Sequence, residues 1–189
     1  MATTLGGAWR RAGHDVLTAG RDRHREAAEH GDVVLTALPA DVAPEVVKGL
    51  GDVLAGRTVL DCTNPIVPVE DEGLMLSTGG VTSVARRLAE AAPGAHVVKA
   101  FNLSHESVWT QEELTYEGAP LAVPYCADDA VARERTAELI TSMGCTPLAC
   151  GGLARAAYLE ATAAFAIGVW WAGGETRHVF PAPAEAVSG

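Results

Sequence analysis

The sequence predicts an α/β protein built on a doubly wound parallel sheet, and three observations carry that prediction. Strand-length apolar runs alternate with helical segments through about residue 150, the order expected when helices cover both faces of one sheet. The run Asp32-Val-Val-Leu-Thr-Ala-Leu38 is rich in β-branched and apolar residues and lacks polar alternation, as in a parallel strand covered on both faces. Each run ends in a short polar or proline-bearing turn, such as Cys62-Thr-Asn-Pro65. With 189 residues, 48% apolar and 20% charged, the chain can bury a core without disulfides or metals.

The elements follow in order. Residues 3–12 place Leu5, Ala8 and Trp9 on one helical face, and Gly13 stops that helix. Residues 15–20 are predicted as a strand, 21–30 as a polar helix and 32–38 as the buried strand described above. Pro39 ends it, and Asp41 stands where it can cap a helix running to about Leu50. Residues 57–61 form the next strand, and 68–80 are irregular. Residues 83–92 are helical, closed by Pro93 and Gly94. Residues 96–101 and 121–126 are strands, Asp128 caps a helix running to Met143, and 145–149 form a short last strand. Gly151 and Gly152 break the chain before a long apolar helix over 153–171. Its core falls short of the ~18 uninterrupted apolar residues of a membrane span and carries Glu160.

Charge excludes some partners. The 14 basic and 24 acidic side chains leave a net charge of −10, which repels nucleic acid and anionic membrane surfaces. Against that background, Arg21, Arg23, His24 and Arg25 form a local basic patch, with Arg10 and Arg11 upstream. Cys62, Cys126, Cys145 and Cys150 make no C-x-x-C pair and have no histidines at zinc-finger spacing. They read as buried thiols of a reducing compartment, and a cytoplasmic protein is expected. Arg10 and Arg11 stand where a signal peptide would be apolar.

Ligands of open parallel sheets bind beyond the C-terminal strand ends. Those ends are Thr18-Ala-Gly-Arg21, Ala37-Leu-Pro39, Asp61-Cys-Thr-Asn-Pro65 and Lys99-Ala-Phe-Asn102. Arg21 lies where the adenosine ribose of a dinucleotide would rest, and a guanidinium there suits a 2′-phosphate. Arg25, one helical turn on, can join it; the plainer alternative is a pair of surface arginines opening a helix, beside Asp22. Asn64 and Asn102 can offer amides to a nicotinamide or pyrophosphate, or can bond their own turns. Lys99 is either a strand-end cation or a charge at the sheet edge. His105 and Glu106 could suggest acid–base chemistry, but a helix start capped by Ser104 explains them better. The sequence holds no Ser-His-Asp order, H-E-x-x-H or P-loop, so no catalytic side chain and no metal ligand is assigned.

These residues resemble a known family. Ala12-Gly-His-Asp-Val16, Gly20-Arg21, Asp32-Val-Val-Leu35, Leu60-Asp-Cys-Thr-Asn-Pro65 and Val97-Val-Lys-Ala-Phe-Asn102 look like the NADP-dependent oxidoreductases of the deazaflavin (coenzyme F-420) reductase type. They also look like the nucleotide domain of six-transmembrane metalloreductases and, more distantly, pyrroline-carboxylate reductases. The stretch from Gly151 to Glu160 is similar to that family's Gly-Pro-Leu…Leu-Glu helix. The resemblance covers roughly residues 1–175. It implies a Rossmann-like sheet with NADP(H) across the strand ends, in contact with Ala2, Gly20, Arg21, Arg25, Ala37, Leu38, Pro39, Asn64, Pro65, Lys99, Phe101 and Asn102. Hydride would pass to a deazaflavin, flavin or similar small acceptor, in a homodimer. Orientation matters more than a proton-transfer side chain in such a step.

Three departures qualify the resemblance. Family members begin with a strand and a G-x-G-x-x-G/A turn, whereas here Ala2 aligns with that turn's third small residue. The sheet is therefore expected to lack its first strand, through a misassigned start or because a partner chain completes it. Only about ten residues separate Gly20 from Asp32, too few for a full helix and another strand. Gly152 replaces the family proline, and Ala157 stands where an arginine is usual, so the acceptor contact that the resemblance implies is not carried over to these two positions. A relative that binds NADP without turnover, acting as a sensor or scaffold, is the rival expectation. The organisation expected is an incomplete NADP-binding domain over 1–150, a packing or dimerisation helix over 151–175 and a flexible tail over 176–189.

Overall fold

Alternation of apolar runs with amphipathic segments yields the expected layers in the computed structural model, which describes residues 1–176. The predicted tail lies almost wholly outside the described residues. The chain opens with helix α1 (Ala2–Arg11) and a 3₁₀ turn at Arg21–Arg23, then α2 (His24–His30) and strand β1 (Val33–Thr36). Helices α3 (Ala43–Gly49) and α4 (Gly51–Leu54) lead to β2 (Thr58–Asp61), and β3 (Ile66–Val69) and β4 (Gly73–Leu76) follow. Next come α5 (Val84–Ala91), β5 (His96–Ala100), the short strands β6 (Thr115–Tyr116) and β7 (Ala119–Pro120), and β8 (Ala122–Ala127). Helix α6 (Ala130–Ser142), β9 (Thr146–Ala149) and α7 (Ala156–Trp171) complete the described fold.

Five strands make the main sheet in the order β1-β2-β5-β8-β9. β1, β2 and β5 run parallel, with Val33 beside Thr58 and Thr58 beside His96. β8 runs antiparallel to β5, and β9 parallel to β8, so the sheet is not wholly parallel as the sequence suggested. The connection explains it. Parallel neighbours need a helical crossover, and between β5 and β8 the chain has only a 3₁₀ turn and the β6–β7 hairpin.

Successive side chains of a strand face opposite sides, and that alternation sorts the core into two layers. Leu60 and Val98 join Leu5, Trp9, Phe101 and Trp109 on one face. Val59 and Val97 join Val47, Leu54, Leu88 and Leu159 on the other. Both faces of β2 are therefore closed.

Local chemistry departs from the sequence reading at several points. α3 begins after Val42 with no side-chain cap, its proline in the first turn standing in for the expected Asp41 cap. Asp129, not Asp128, caps α6 by accepting from the Ala132 amide at 2.8 Å. Asp128 instead accepts from the Leu153 amide across the chain. His105, not Ser104, caps the turn at Glu106–Thr110 through its Nδ1. The segment 68–80, read as irregular, holds the end of β3 and all of β4, which pair antiparallel. Residues 15–20 do not form the predicted strand, because residues 15–19 make no backbone-to-backbone hydrogen bond among the described residues. A strand exists only by virtue of a ladder, and none reaches this segment. Among the described residues, no helix is long and apolar enough to cross a membrane.

Candidate functional site

Parallel register brings Asp61 of β2 beside Lys99 of β5 at their C-terminal ends. Both are fully buried. The Lys99 ammonium donates to Asp61 Oδ2 at 2.9 Å, to Glu160 Oε1 at 2.8 Å and to the Thr63 carbonyl. Glu160 projects from α7, and its Oε1 also accepts from the Val84 amide at the start of α5, at 2.9 Å. One buried cation thus ties two strand ends and two helices. Burial raises the Glu160 carboxyl above the ordinary glutamate range, and the Lys99 charge opposes that rise. Glu160 Oε2 has no partner. Lys99 is neither at the sheet edge nor open to a ligand; it braces the turns from behind.

Those turns are locked to one another. Asp61 Oδ1 accepts from the Thr63 amide at 2.9 Å, and the Thr63 hydroxyl donates to the Leu38 carbonyl at 3.3 Å, linking the ends of β1 and β2. Asn64 Nδ2 donates to the Asn102 carbonyl at 2.7 Å, and Asn102 Nδ2 donates to Asn64 Oδ1 at 2.9 Å and to the Leu159 carbonyl at 3.0 Å. Both of the latter bonds leave the same nitrogen, Asn102 Nδ2, which fixes the orientation of the Asn102 amide. Its Oδ1 is buried and has no partner. That free acceptor at a strand-end turn suits an amide N–H such as a nicotinamide carboxamide offers. Phe101 has φ of 63°, a conformation costly for a bulky residue. Edge-to-face contacts with Trp9 and Trp109, at 5.6 and 5.5 Å between centroids, hold its ring in the core.

The basic patch resolves into spent and unspent charges. Arg23 pairs with Glu26, and Arg25 with Glu29 at 3.2 Å and Asp52 at 2.7 Å. Arg21 is exposed and has no hydrogen bond or ion pair among the described residues. A side chain added at Gly20 would meet nothing within 4 Å. Beside this end, a cavity of about 340 Å³ lies between α1, residues 15–19 and β1, and Ala2, Thr18, Ala37 and Leu38 are among its lining residues. The residues present fit a dinucleotide with a 2′-phosphate: a free guanidinium, an open glycine and an orphaned amide acceptor.

The structure gathers Asn64, Pro65 and Asn102 into one cluster and sets Ala2, Ala37 and Leu38 around the cavity. It turns Lys99 and Phe101 inward and commits Arg25 to carboxylates. Asp61 and Glu160 went unrecognised in the sequence as partners of Lys99. A signal was present: Glu160 is the single charge in α7 and Lys99 the single charge in β5 apart from His96, and buried charges need partners.

Comparison with known proteins bears on the family resemblance and the fold. Residues 19–65 match the family described as NADP oxidoreductase, coenzyme F420-dependent. This segment carries Gly20, Arg21, Ala37, Leu38, Pro39, Asn64 and Pro65, so the resemblance read from the turns is borne out there. The chain is 37% identical over 112 residues to Metalloreductase STEAP3 of Rattus norvegicus, covering 59% of this chain and only 21% of that protein. It superposes on a proposed F420-dependent NADP reductase from Arthrobacter sp. FB24 with a TM-score of 0.79 and 21% identity, covering 90% of each chain. A hypothetical protein, SMa0349, from Sinorhizobium meliloti is 29% identical with a TM-score of 0.58, covering 70% of this chain and 62% of its own. The fold is therefore Rossmann-like.

Proposed function

We propose that this chain is an NADP(H)-dependent oxidoreductase that exchanges hydride between NADPH and a deazaflavin, flavin or similar small acceptor. The observation that carries the proposal is Arg21, the arginine of an otherwise neutralised patch whose guanidinium is left free in a strongly acidic protein. Arg21 takes the 2′-phosphate, and Gly20 leaves the backbone clear for the ribose. Ala2, Ala37, Leu38 and Pro39 line the dinucleotide, with Asn64 and Pro65 further along it. Asn102 Oδ1 accepts from the carboxamide, and Lys99 positions both asparagine turns without touching the ligand. Bound NADPH supplies the hydride; the protein's part is orientation and exclusion of water. The F420-dependent family match is the support for the acceptor class. The four unpaired cysteines support a cytoplasmic setting.

A homodimer through α7 belongs to the same reading. This helix is apolar on all sides apart from Glu160, yet exposes Tyr158, Phe165 and Trp171, and a helix apolar all round is ordinarily buried. Sedimentation should give twice the chain mass, and Trp171→Glu should return the monomer.

Titration of NADPH and NADH against tryptophan fluorescence tests the site. Arg21→Ala should weaken NADPH by about 10- to 100-fold, as loss of a charge-assisted hydrogen bond does, and leave NADH nearly unchanged. Equal loss for both removes Arg21 from the phosphate. Tight binding with no absorbance change on adding deazaflavin favours the sensor or scaffold, a reading that the mutual bonding of Asn64 and Asn102 supports.

A further inference from the structure

The four cysteines divide between the two faces of the sheet. Cys62 and Cys145 lie in the layer that holds Trp9 and Phe101, whereas Cys126 and Cys150 lie in the layer that holds Val97 and Leu159. In this second layer the two thiols are neighbours by register. Tyr125 of β8 stands beside Ala149 of β9 in parallel, so one further step along both chains sets Cys126 beside Cys150. The Cys150 amide donates to the Tyr125 carbonyl at 2.8 Å and keeps the two chains together at that step. Neighbouring strands lie about 4.8 Å apart, inside the roughly 4.4–6.8 Å between Cα atoms that a disulfide spans.

The direction of the Cys150 side chain agrees with the register. The Thr146 and Cys150 amides donate to the Leu121 and Tyr125 carbonyls, on the β8 side. Leu148 stands midway between them and turns its carbonyl the same way, because backbone groups alternate along a strand. The Cys150 thiol donates to that Leu148 carbonyl at 3.5 Å, so its sulfur leans towards β8.

Burial separates the two thiols. Cys126 is fully buried and Cys150 is partly exposed. Burial pushes the Cys126 thiol up to about 11, the Cys150 thiol adds to the rise, and the Arg155 and Lys99 cations oppose it. A reachable thiol in front of a buried one is the arrangement of an attacking and a resolving cysteine. We propose that Cys150 and Cys126 form a reversible redox site, at which a low-molecular-weight disulfide converts the two thiols to one internal disulfide. The Cys150 thiolate attacks one sulfur of the external disulfide and expels its other half as a thiolate. Cys126 then loses its proton to water, attacks the Cys150 sulfur and expels the second half. Two protein thiols are oxidised, and one external disulfide is reduced to two thiols. In the reducing setting proposed above, such a bond is transient and follows the supply of oxidant. It pins β8 to the Gly151-Gly152 turn ahead of α7, at the position of β8 that lies opposite Lys99.

The test needs no nucleotide, so its outcome is separate from the NADP(H) reading. The 189-residue chain is incubated with oxidised glutathione, quenched with acid and cleaved with trypsin, which parts the two cysteines at Arg133 and Arg135. The map should give one linked pair of peptides carrying Cys126 and Cys150. The chain mass should fall by two hydrogens, with a glutathione adduct on Cys150 only as a transient. A dithiol reductant should restore both thiols. Cys126→Ser should keep the adduct on Cys150, and Cys150→Ser should react at least about tenfold more slowly than the parent. A lasting adduct on Cys150 in the parent chain would overturn the proposal. So would a link through Cys62 or Cys145, a link between two chains, or two thiols that stay reduced. The parent map uses no variant, so it decides the matter even where Cys126→Ser fails to fold.

Discussion

The centre of the sheet and its β1 edge treat their residues in opposite ways. At the ends of β2 and β5, charged groups that ordinarily seek water are wholly buried and bonded to one another. Along β1, apolar residues that ordinarily seek the core are half-exposed beside an open backbone edge. The difference follows from neighbours rather than composition. β2 has a strand on each side and helices above and below it, so even an ammonium can be enclosed when carboxylates and carbonyls meet it. β1 has one neighbouring strand, and apolar character by itself does not close its other edge.

Breaking the central network should give the largest effect. Lys99→Met strands the Asp61 and Glu160 carboxylates in the core, and loss of one partner from a buried ionic group typically costs about 3–5 kcal/mol. Urea unfolding measures it. Adding Asp61→Asn and Glu160→Gln to that variant should recover much of the loss; a Lys99→Met protein as stable as the parent would mean that the cluster is not enclosed.

A pH series sharpens the same contrast. Burial raises the Glu160 carboxyl, so the folded state holds a proton that the unfolded chain has released above about pH 4.3. The contribution is full below that unfolded value and is lost as pH rises through the raised folded one. Glu160→Gln should flatten this decline. An unchanged profile of unfolding free energy against pH would show that Glu160 ionises as an ordinary surface carboxylate.

At the edge, the contrast concerns ligand more than stability. Arg25→Ala removes a guanidinium already held by Glu29 and Asp52, so NADPH affinity should fall by less than in Arg21→Ala. Equal loss would mean that the carboxylates release Arg25 to the phosphate. Smaller still is the effect expected from thiol labelling. Burial pushes the Cys62 thiol up to about 12 and Cys126 to about 11, so Cys150, the least buried of the four, should react first with a disulfide reagent at neutral pH. Early labelling of Cys62 would show that the core between β1 and β2 opens readily.

The legible parts of the molecule were those with local causes. Apolar runs placed β1, β2, β5, β8 and β9, and Gly13, at φ of 94°, ended α1 as expected. Asn64 and Asn102 were recognisable as turn residues, but their mutual bond joins positions 38 residues apart. Asp41, Asp128 and Ser104 were plausible caps, yet α3 starts without a side-chain cap, with Pro44 in its first turn, and Asp129 and His105 cap the other two. The antiparallel course of β8 depended on a connection with no helix, and the sequence between β5 and β8 carried no clear sign of its direction.

By itself the sequence determined the layered α/β class, the strand-end turns and the family resemblance of residues 19–65, because periodicity and turn chemistry act over a few residues. Only the tertiary structure decided that Lys99 faces inward to Asp61 and Glu160, that Arg21 alone of Arg21, Arg23 and Arg25 is unspent, and that residues 15–19 line a slot instead of forming a strand. Each of these depends on groups distant in the chain. A charge is buried only where its counter-charges arrive, and an extended segment becomes a strand only where another edge meets it.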